Sequence, residues 1–187
     1  MRRVFAWGVD FGVIVLFAWL LGELTARRVV GYFTEATGLV RSGAWELLTG
    51  HWGDLGRTAQ LLDAMWHQIA VLVVEAFALL VAGAFVYHWV SLVLFRRTPG
   101  MVVAGLEVVS CTRRAAVVRA AASTVADVAC FALAYCLLVW GAFAAAFTVW
   151  LLSVIVFWAN VLPALSGSGR SVADRLAGTT VVRRLRY

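Results

Sequence analysis

The fold is decided by residues 121–165, which read AASTVADVACFALAYCLLVWGAFAAAFTVWLLSVIVFWANVLPAL. A helix that crosses a membrane needs about 20 apolar residues, so this run is too long for one span and suits two. Dividing it near Gly141 predicts helices over 121–140 and 144–163, joined by a tight turn. Two further apolar runs, 4–22 and 69–95, bring the predicted spans to four.

Composition points to the same class of protein. The chain has 187 residues, of which 63% are hydrophobic and 14% are charged, and its mean hydropathy is +0.90. Soluble domains have roughly half their residues apolar and a quarter charged, so a soluble globule is excluded. With 2 prolines and 3 cysteines, a disordered tail and a disulfide-stapled module are excluded as well. We predict one all-α domain over 1–187, a polytopic four-helix transmembrane bundle.

The arginines predict the orientation. All sixteen basic residues are arginine, and twelve of them flank the spans on one side, whereas the 23–68 segment holds four arginines and five acidic residues. The positive-inside rule then places both termini in the cytoplasm and residues 23–68 outside. Tryptophans 45, 52 and 66 favour the headgroup layer, so we expect this long extracytoplasmic loop to carry one or two short interfacial helices. Residues 1–26 also fit a secretory signal peptide, but Asp10 would be costly inside its apolar core.

The positive charge predicts a lipid partner. A net charge of +6 would suggest nucleic acid for a soluble protein. Here the arginines lie along one side of the membrane, which predicts contact with anionic headgroups at the cytoplasmic face and no nucleic acid. Gly8 and Gly12 form a G-x-x-x-G pattern that allows close helix packing. A protein partner or a homo-oligomer therefore remains open.

Ionisable residues within the spans predict a polar cluster. Asp10, His88 and Asp127 each lie six or seven residues from a cytoplasmic span end, which corresponds to a depth of about 9–10 Å. Asn160 is slightly shallower, and Arg3 and Arg119 lie at the cytoplasmic rim. Arg3 shares a helix face with Asp10, so either arginine is an expected partner for this carboxylate. Such a cluster is either an ion-pair network that locks the helices together or part of a cation pathway.

Two cytoplasmic segments have similar sequences. Residues 105–109 read GLEVV, and residues 178–182 read GTTVV. A glycine followed by β-branched residues suits a short strand, so we expect the two segments to pair beneath the bundle. No nucleophile triad, metal-ligand spacing or phosphate-binding loop is present in the sequence. The sequence therefore predicts no enzyme, no cofactor and no metal site.

Four motifs, read in order, resemble the RDD family of bacterial membrane proteins. They are the N-terminal R-x-x-A-x-x-x-D of residues 3–10, the T-P-G of 98–100 followed by G-L-x-V-V, the arginine that opens span three, and the D-R-L-A-G-T of 174–179. The resemblance implies a multi-pass protein of the bacterial cytoplasmic (inner) membrane, with Arg3, Asp10 and Asp174 as the signature residues. Met101 and Ala173 stand where the family has lysine and histidine, and both departures remove a titratable group.

The resemblance also implies a function. Transport of unidentified ligands has been suggested for the family, and some members are described as sodium/proton antiporters. We therefore expect transport of a small ion or solute, with Asp10 and Asp127 as cation or proton acceptors and with Arg3, Arg119 and Asp174 controlling access. The expected pathway comprises Arg3, Asp10, His88, Arg119, Asp127, Asn160 and Asp174. The alternative is a non-catalytic scaffold or accessory subunit of a larger membrane complex.

Overall fold

The computed structural model describes residues 2–48, 55–109, 112–165 and 171–183, with side chains over 2–34, 60, 62–109, 112–162 and 171–182. In chain order the elements are α1 (Arg2–Leu48), α2 (Leu55–Phe95), α3 (Pro99–Ala104), β1 (Leu106–Val109), α4 (Arg113–Thr124), a π-helical turn (Val125–Ala129), α5 (Cys130–Val139), α6 (Phe143–Leu165), α7 (Val172–Ala177) and β2 (Thr180–Arg183). The chain divides into two compact units, residues 1–18 with 77–187, and residues 19–76.

The prediction of four membrane-length helices is confirmed. Within the described residues, four helical segments are long and apolar enough to cross a membrane: Arg2–Thr34, Leu62–Phe95, Arg113–Val139 and Phe143–Leu162. The third begins earlier than the predicted residue 121, because the Thr112 side chain accepts from the Ala115 N–H at 3.2 Å and caps the helix there. The predicted turn also lies where expected, with Gly141 at φ +79°.

The prediction of a long loop over 23–68 is wrong for the described part of that segment. Residues 23–48 continue α1 and residues 55–68 begin α2, and Trp52 lies outside the described residues. Isolated glycines cost a helix only about 1 kcal/mol each, and the segment contains no proline. Good helix formers therefore carry both helices beyond the apolar runs and through the isolated glycines of this segment.

Exposed charge pairs occur in the unit formed by residues 19–76. Arg27 Nε lies 2.9 Å from Glu23 Oε1 one turn earlier on α1, and Arg28 Nη1 lies 3.9 Å from Glu75 Oε2 on α2. All four side chains are substantially exposed. Exposed pairs of this kind contribute about 0–1 kcal/mol each, so they add little to the stability of this unit.

The predicted pairing of the two glycine-led segments is confirmed. β1 and β2 are antiparallel, with Val108 opposite Val181 and Glu107 opposite Val182. Gly105 and Gly178 end α3 and α7 at φ +69° and +64°, a conformation that costs glycine little. Each strand therefore follows a six-residue helix through a left-handed glycine.

The strand pair belongs to the buried core of the larger unit. Val108 is 1% exposed, and the apolar cluster around it comes from α1, α2, α3, α4 and both strands: Ala6, Leu92, Ala104, Leu106, Ala116 and Val181. The backbone N–H of Val108 also donates to the Arg96 carbonyl at 3.2 Å. The short helices and strands are thereby fixed against the ends of the membrane-length helices.

Candidate functional site

All seven residues of the expected pathway line one cavity in the unit formed by residues 1–18 and 77–187. The cavity has a volume of about 110 Å³, and its lining includes Arg3, Asp10, His88, Arg119, Asp127, Asn160 and Asp174. The four membrane-length helices and α7 all contribute to it. Hydrogen bonding then divides these residues into two groups, those with internal partners and those without.

Asp10 is clamped by three uncharged donors. Its Oδ1 atom accepts from the Tyr87 hydroxyl at 2.8 Å and from the Gly100 N–H at 2.9 Å. Its Oδ2 atom accepts from the Thr98 hydroxyl. The residue is 6% exposed. Because both carboxylate oxygens have partners, Asp10 joins α1 to α2 and to the start of α3.

The expected arginine partners of Asp10 are engaged elsewhere. Arg3 Nη2 donates to the Val181 carbonyl at 2.6 Å, and Arg119 Nη1 lies 2.7 Å from Asp174 Oδ1. The pairing of Arg3 with Asp10 is therefore wrong, although the two share a face of α1. Sequence reasoning missed the Tyr87 and Thr98 hydroxyls because they belong to a different helix and turn.

Arg119 and Asp174 form a buried latch between α4 and α7. Arg119 Nη1 also donates to the Thr179 hydroxyl at 3.2 Å. Asp174 is the third residue of α7, and with Ser171 it forms a capping box in which each side chain accepts from the other's backbone N–H. Asn160 on α6 adds a further tie, because its Oδ1 accepts from the Ala173 N–H at 3.4 Å.

Asp127 differs from Asp10 and Asp174 in its local structure and in its hydrogen bonding. It lies in the π-helical turn between α4 and α5, a local irregularity that is frequent at functional sites. Its carboxyl group lies beside the Trp7 indole and the Asn160 amide, but Asp127 Oδ1 and Trp7 Nε1 have no hydrogen-bond partner among the described residues. His88 Nε2 is also buried without one. Asp127 and His88 are 8% and 7% exposed.

Buried polar atoms without partners are rare in folded proteins and call for an explanation. Trp7, His88 and Asp127 are all among the residues that line the cavity. The lining also carries three carboxylates and two guanidinium groups. With His88 neutral, the ionised site has a net charge of −1. This arrangement is suited to one monovalent cation.

One further sequence expectation is tested by the structure here. No described residue lies within 4 Å of a Cβ built on Gly8 or Gly12, so the G-x-x-x-G pattern does not mark a helix contact in the described chain. Gly100 has that role, because a Cβ there would overlap the Ala6 carbonyl oxygen and lie 2.9 Å from Asp10 Cγ. Among the described residues, no group of three or more His, Cys, Asp or Glu side chains converges as metal ligands.

Comparison with known proteins adds no assignment. No family model matches the chain, and no curated protein or solved structure matches it either.

Proposed function

We propose that this chain is an RDD-type protein of the bacterial cytoplasmic membrane that binds one small monovalent cation in the polar cavity and transports it, with Asp127 as the acceptor. The observation that carries this proposal is the buried Asp127 Oδ1 atom, which has no hydrogen-bond partner among the described residues and lies in a residue that lines a cavity of net charge −1. The division of roles follows from the hydrogen bonds. Asp10 is a positioning residue, since its oxygens already accept three hydrogen bonds.

The position of the latch supports a route from the cytoplasmic side. Ser171, Asp174 and Val181 all line the cavity, so α7 and β2 close one side of it. The distribution of arginines predicts that this side faces the cytoplasm. Opening the Arg119–Asp174 pair would therefore expose the cavity to cytoplasmic water.

Flux measurements in proteoliposomes test this proposal. Purified chain is reconstituted with a pH-sensitive dye inside, and proton and radioactive sodium movements are followed after an imposed gradient. Asp127→Asn should abolish cation-dependent flux because it removes the acceptor charge. Asp63→Asn is the matched control, since Asp63 is exposed on α2 and lies outside the cavity. Flux that survives Asp127→Asn contradicts the proposed mechanism.

A scaffold or accessory subunit is the second candidate, and one observation favours it. The hydroxyls of Ser153 and Thr148, which could have continued a polar path along α6, donate to carbonyls of their own helix at 2.7 and 2.8 Å. A polar route beyond the cavity is therefore sparse in the described structure. Purification from native membranes distinguishes the candidates: a scaffold should bring defined partner subunits with it, whereas recovery of the chain alone or as a homo-oligomer counts against that role.

A further inference from the structure

The lining of the cavity includes both Asp127, whose Oδ1 atom has no hydrogen-bond partner among the described residues, and two stacked aromatic rings. Trp7 and Phe11 both line it, and their rings stack with centroids 5.1 Å apart. Phe157 packs edge-on against both rings, at 5.6 Å from Trp7 and 6.3 Å from Phe11. This packing fixes the aromatic pair in place. The site therefore offers both anionic and π-electron-rich surface.

These features suit a bare metal ion poorly. Hard metal cations are held by about six or more oxygen ligands, and Asp10 contributes little because three donors already occupy its oxygens. Among the described residues that line the cavity, the buried side-chain atoms without a hydrogen-bond partner are Asp127 Oδ1, His88 Nε2 and the Trp7 Nε1–H donor. An ammonium group, in contrast, has three N–H donors at most and is satisfied by few acceptors.

We infer that the cavity binds a small primary alkylammonium ion, with the N–H groups on Asp127 Oδ1 and His88 Nε2 and the alkyl part against Trp7 and Phe11. A single positive charge neutralises the site. The cavity volume of about 110 Å³ has room for roughly 7–11 water-sized heavy atoms, since one water occupies roughly 10–15 Å³, so the ligand is a small molecule. Aromatic rings add cation–π attraction to such a group. This inference rests on the proposed function and specifies its substrate class.

Equilibrium binding to the full chain in lipid nanodiscs tests the inference, with radiolabelled ethylammonium as the probe. Ethanol serves as an uncharged competitor of similar size, and sodium chloride as the bare-ion competitor. We expect one saturable site per chain, displaced by unlabelled ethylammonium and not by ethanol at the same concentration. Asp127→Asn should weaken binding at least tenfold.

Aromatic variants separate the contribution of the rings from that of the carboxylate. Trp7→Leu should lower ethylammonium affinity by roughly 2- to 30-fold, the range of a cation–π contact. Trp7→Phe keeps a ring and should retain most of the affinity, which guards against a folding defect in the leucine variant. Trp19→Leu is the matched control on the same helix, since Trp19 is 63% exposed, and should bind like the wild type.

The outcomes distinguish the inference from the function on which it rests. If sodium binds in an Asp127-dependent manner and ethylammonium does not compete, the substrate class is wrong and the transport proposal stands. If neither cation binds, both fail. Equal ethylammonium affinity in the wild type and in Trp7→Leu overturns the aromatic contribution, and displacement by ethanol overturns recognition of charge.

Discussion

Replacing Gly100 with alanine should break the clamp on Asp10. A Cβ at this position would overlap the Ala6 carbonyl oxygen and lie 2.9 Å from both the Ala6 carbonyl carbon and Asp10 Cγ. The Ala6 backbone and the buried Asp10 carboxylate cannot move aside as the end of a flexible side chain can. The start of α3 must therefore move away from α1, and the 2.9 Å hydrogen bond from Gly100 N to Asp10 Oδ1 is lost.

Two terms set the size of the effect. Forcing extra volume into a packed site costs about 1–3 kcal/mol, and losing a hydrogen bond to a charged group costs about 1.5–3 kcal/mol. Gly100→Ala should therefore lower the free energy of unfolding by about 2.5–6 kcal/mol. Reversible unfolding in mixed detergent micelles, followed by far-ultraviolet circular dichroism, measures this free energy.

Glycines on α1 supply the matched controls. Gly8→Ala and Gly12→Ala meet no described atom within 4 Å, so each should be neutral or stabilising by up to about 1 kcal/mol through helix propensity. A cycle with Asp10→Asn tests the mechanism, because Gly100→Ala should cost at least about 1 kcal/mol less once the carboxylate is gone. A Gly100→Ala chain within about 0.5 kcal/mol of wild type, or strict additivity in the cycle, refutes the reasoning.

Three further outcomes are expected. Arg119→Ala should lower the free energy of unfolding by about 3–5 kcal/mol because it leaves the buried Asp174 carboxylate without its ion pair. Arg27→Ala, at an exposed pair, should change the free energy of unfolding by under about 1 kcal/mol. Equal effects of the two substitutions in the same unfolding assay would contradict the stabilising role of the Arg119–Asp174 pair. Gly178→Ala should cost about 1 kcal/mol because its φ of +64° strains an L-residue, and an unchanged midpoint would argue against that conformation. In a cysteine-free background, Arg114→Cys should react with an impermeant thiol reagent only from the cytoplasmic side and Asp63→Cys only from outside; the reverse pattern would invert the predicted topology.

The sequence carries the periodic and compositional features of this fold well. Four apolar runs predict four membrane-length helices, and glycine followed by β-branched residues predicts the two strands. The short helices before those strands were missed, although Thr98 before Pro99 and the Ser171–Asp174 capping box are recognisable helix starts. The prediction of a loop over 23–68 was wrong for its described part, where residues 23–48 continue α1 and residues 55–68 begin α2, because the ends of an apolar run mark the limits of a span and not those of a helix.

The site was predictable as a set of residues and not as a pattern of partners. Asp10, His88 and Asp127 stand out in the sequence because ionisable groups inside a membrane are costly. Counting residues from the ends of the spans then predicts that the three lie at one depth. It cannot tell which carboxylate is clamped, since the donors to Asp10 come from distant segments. Nor does local sequence reveal the π-helical turn that holds Asp127, because its residues are ordinary helix and strand formers. The hydrogen-bond partners of these site residues could therefore be identified only from the folded structure.

Modification by a hydrophobic carbodiimide tests the central claim, that Asp127 is the free acceptor and Asp10 is not, most directly. A carboxyl group accessible from an apolar environment adds through an oxygen to the central carbon of the reagent and gives its proton to a reagent nitrogen, and the adduct rearranges to a stable N-acylurea. Peptide mass spectrometry then identifies the modified residue in the bilayer-embedded chain. We predict modification of Asp127 that is slowed by ethylammonium or sodium, with Asp10 unmodified because its oxygens accept hydrogen bonds from Tyr87, Thr98 and Gly100. Modification of Asp10 with Asp127 untouched, or modification of Asp127 that no cation slows, would contradict the account.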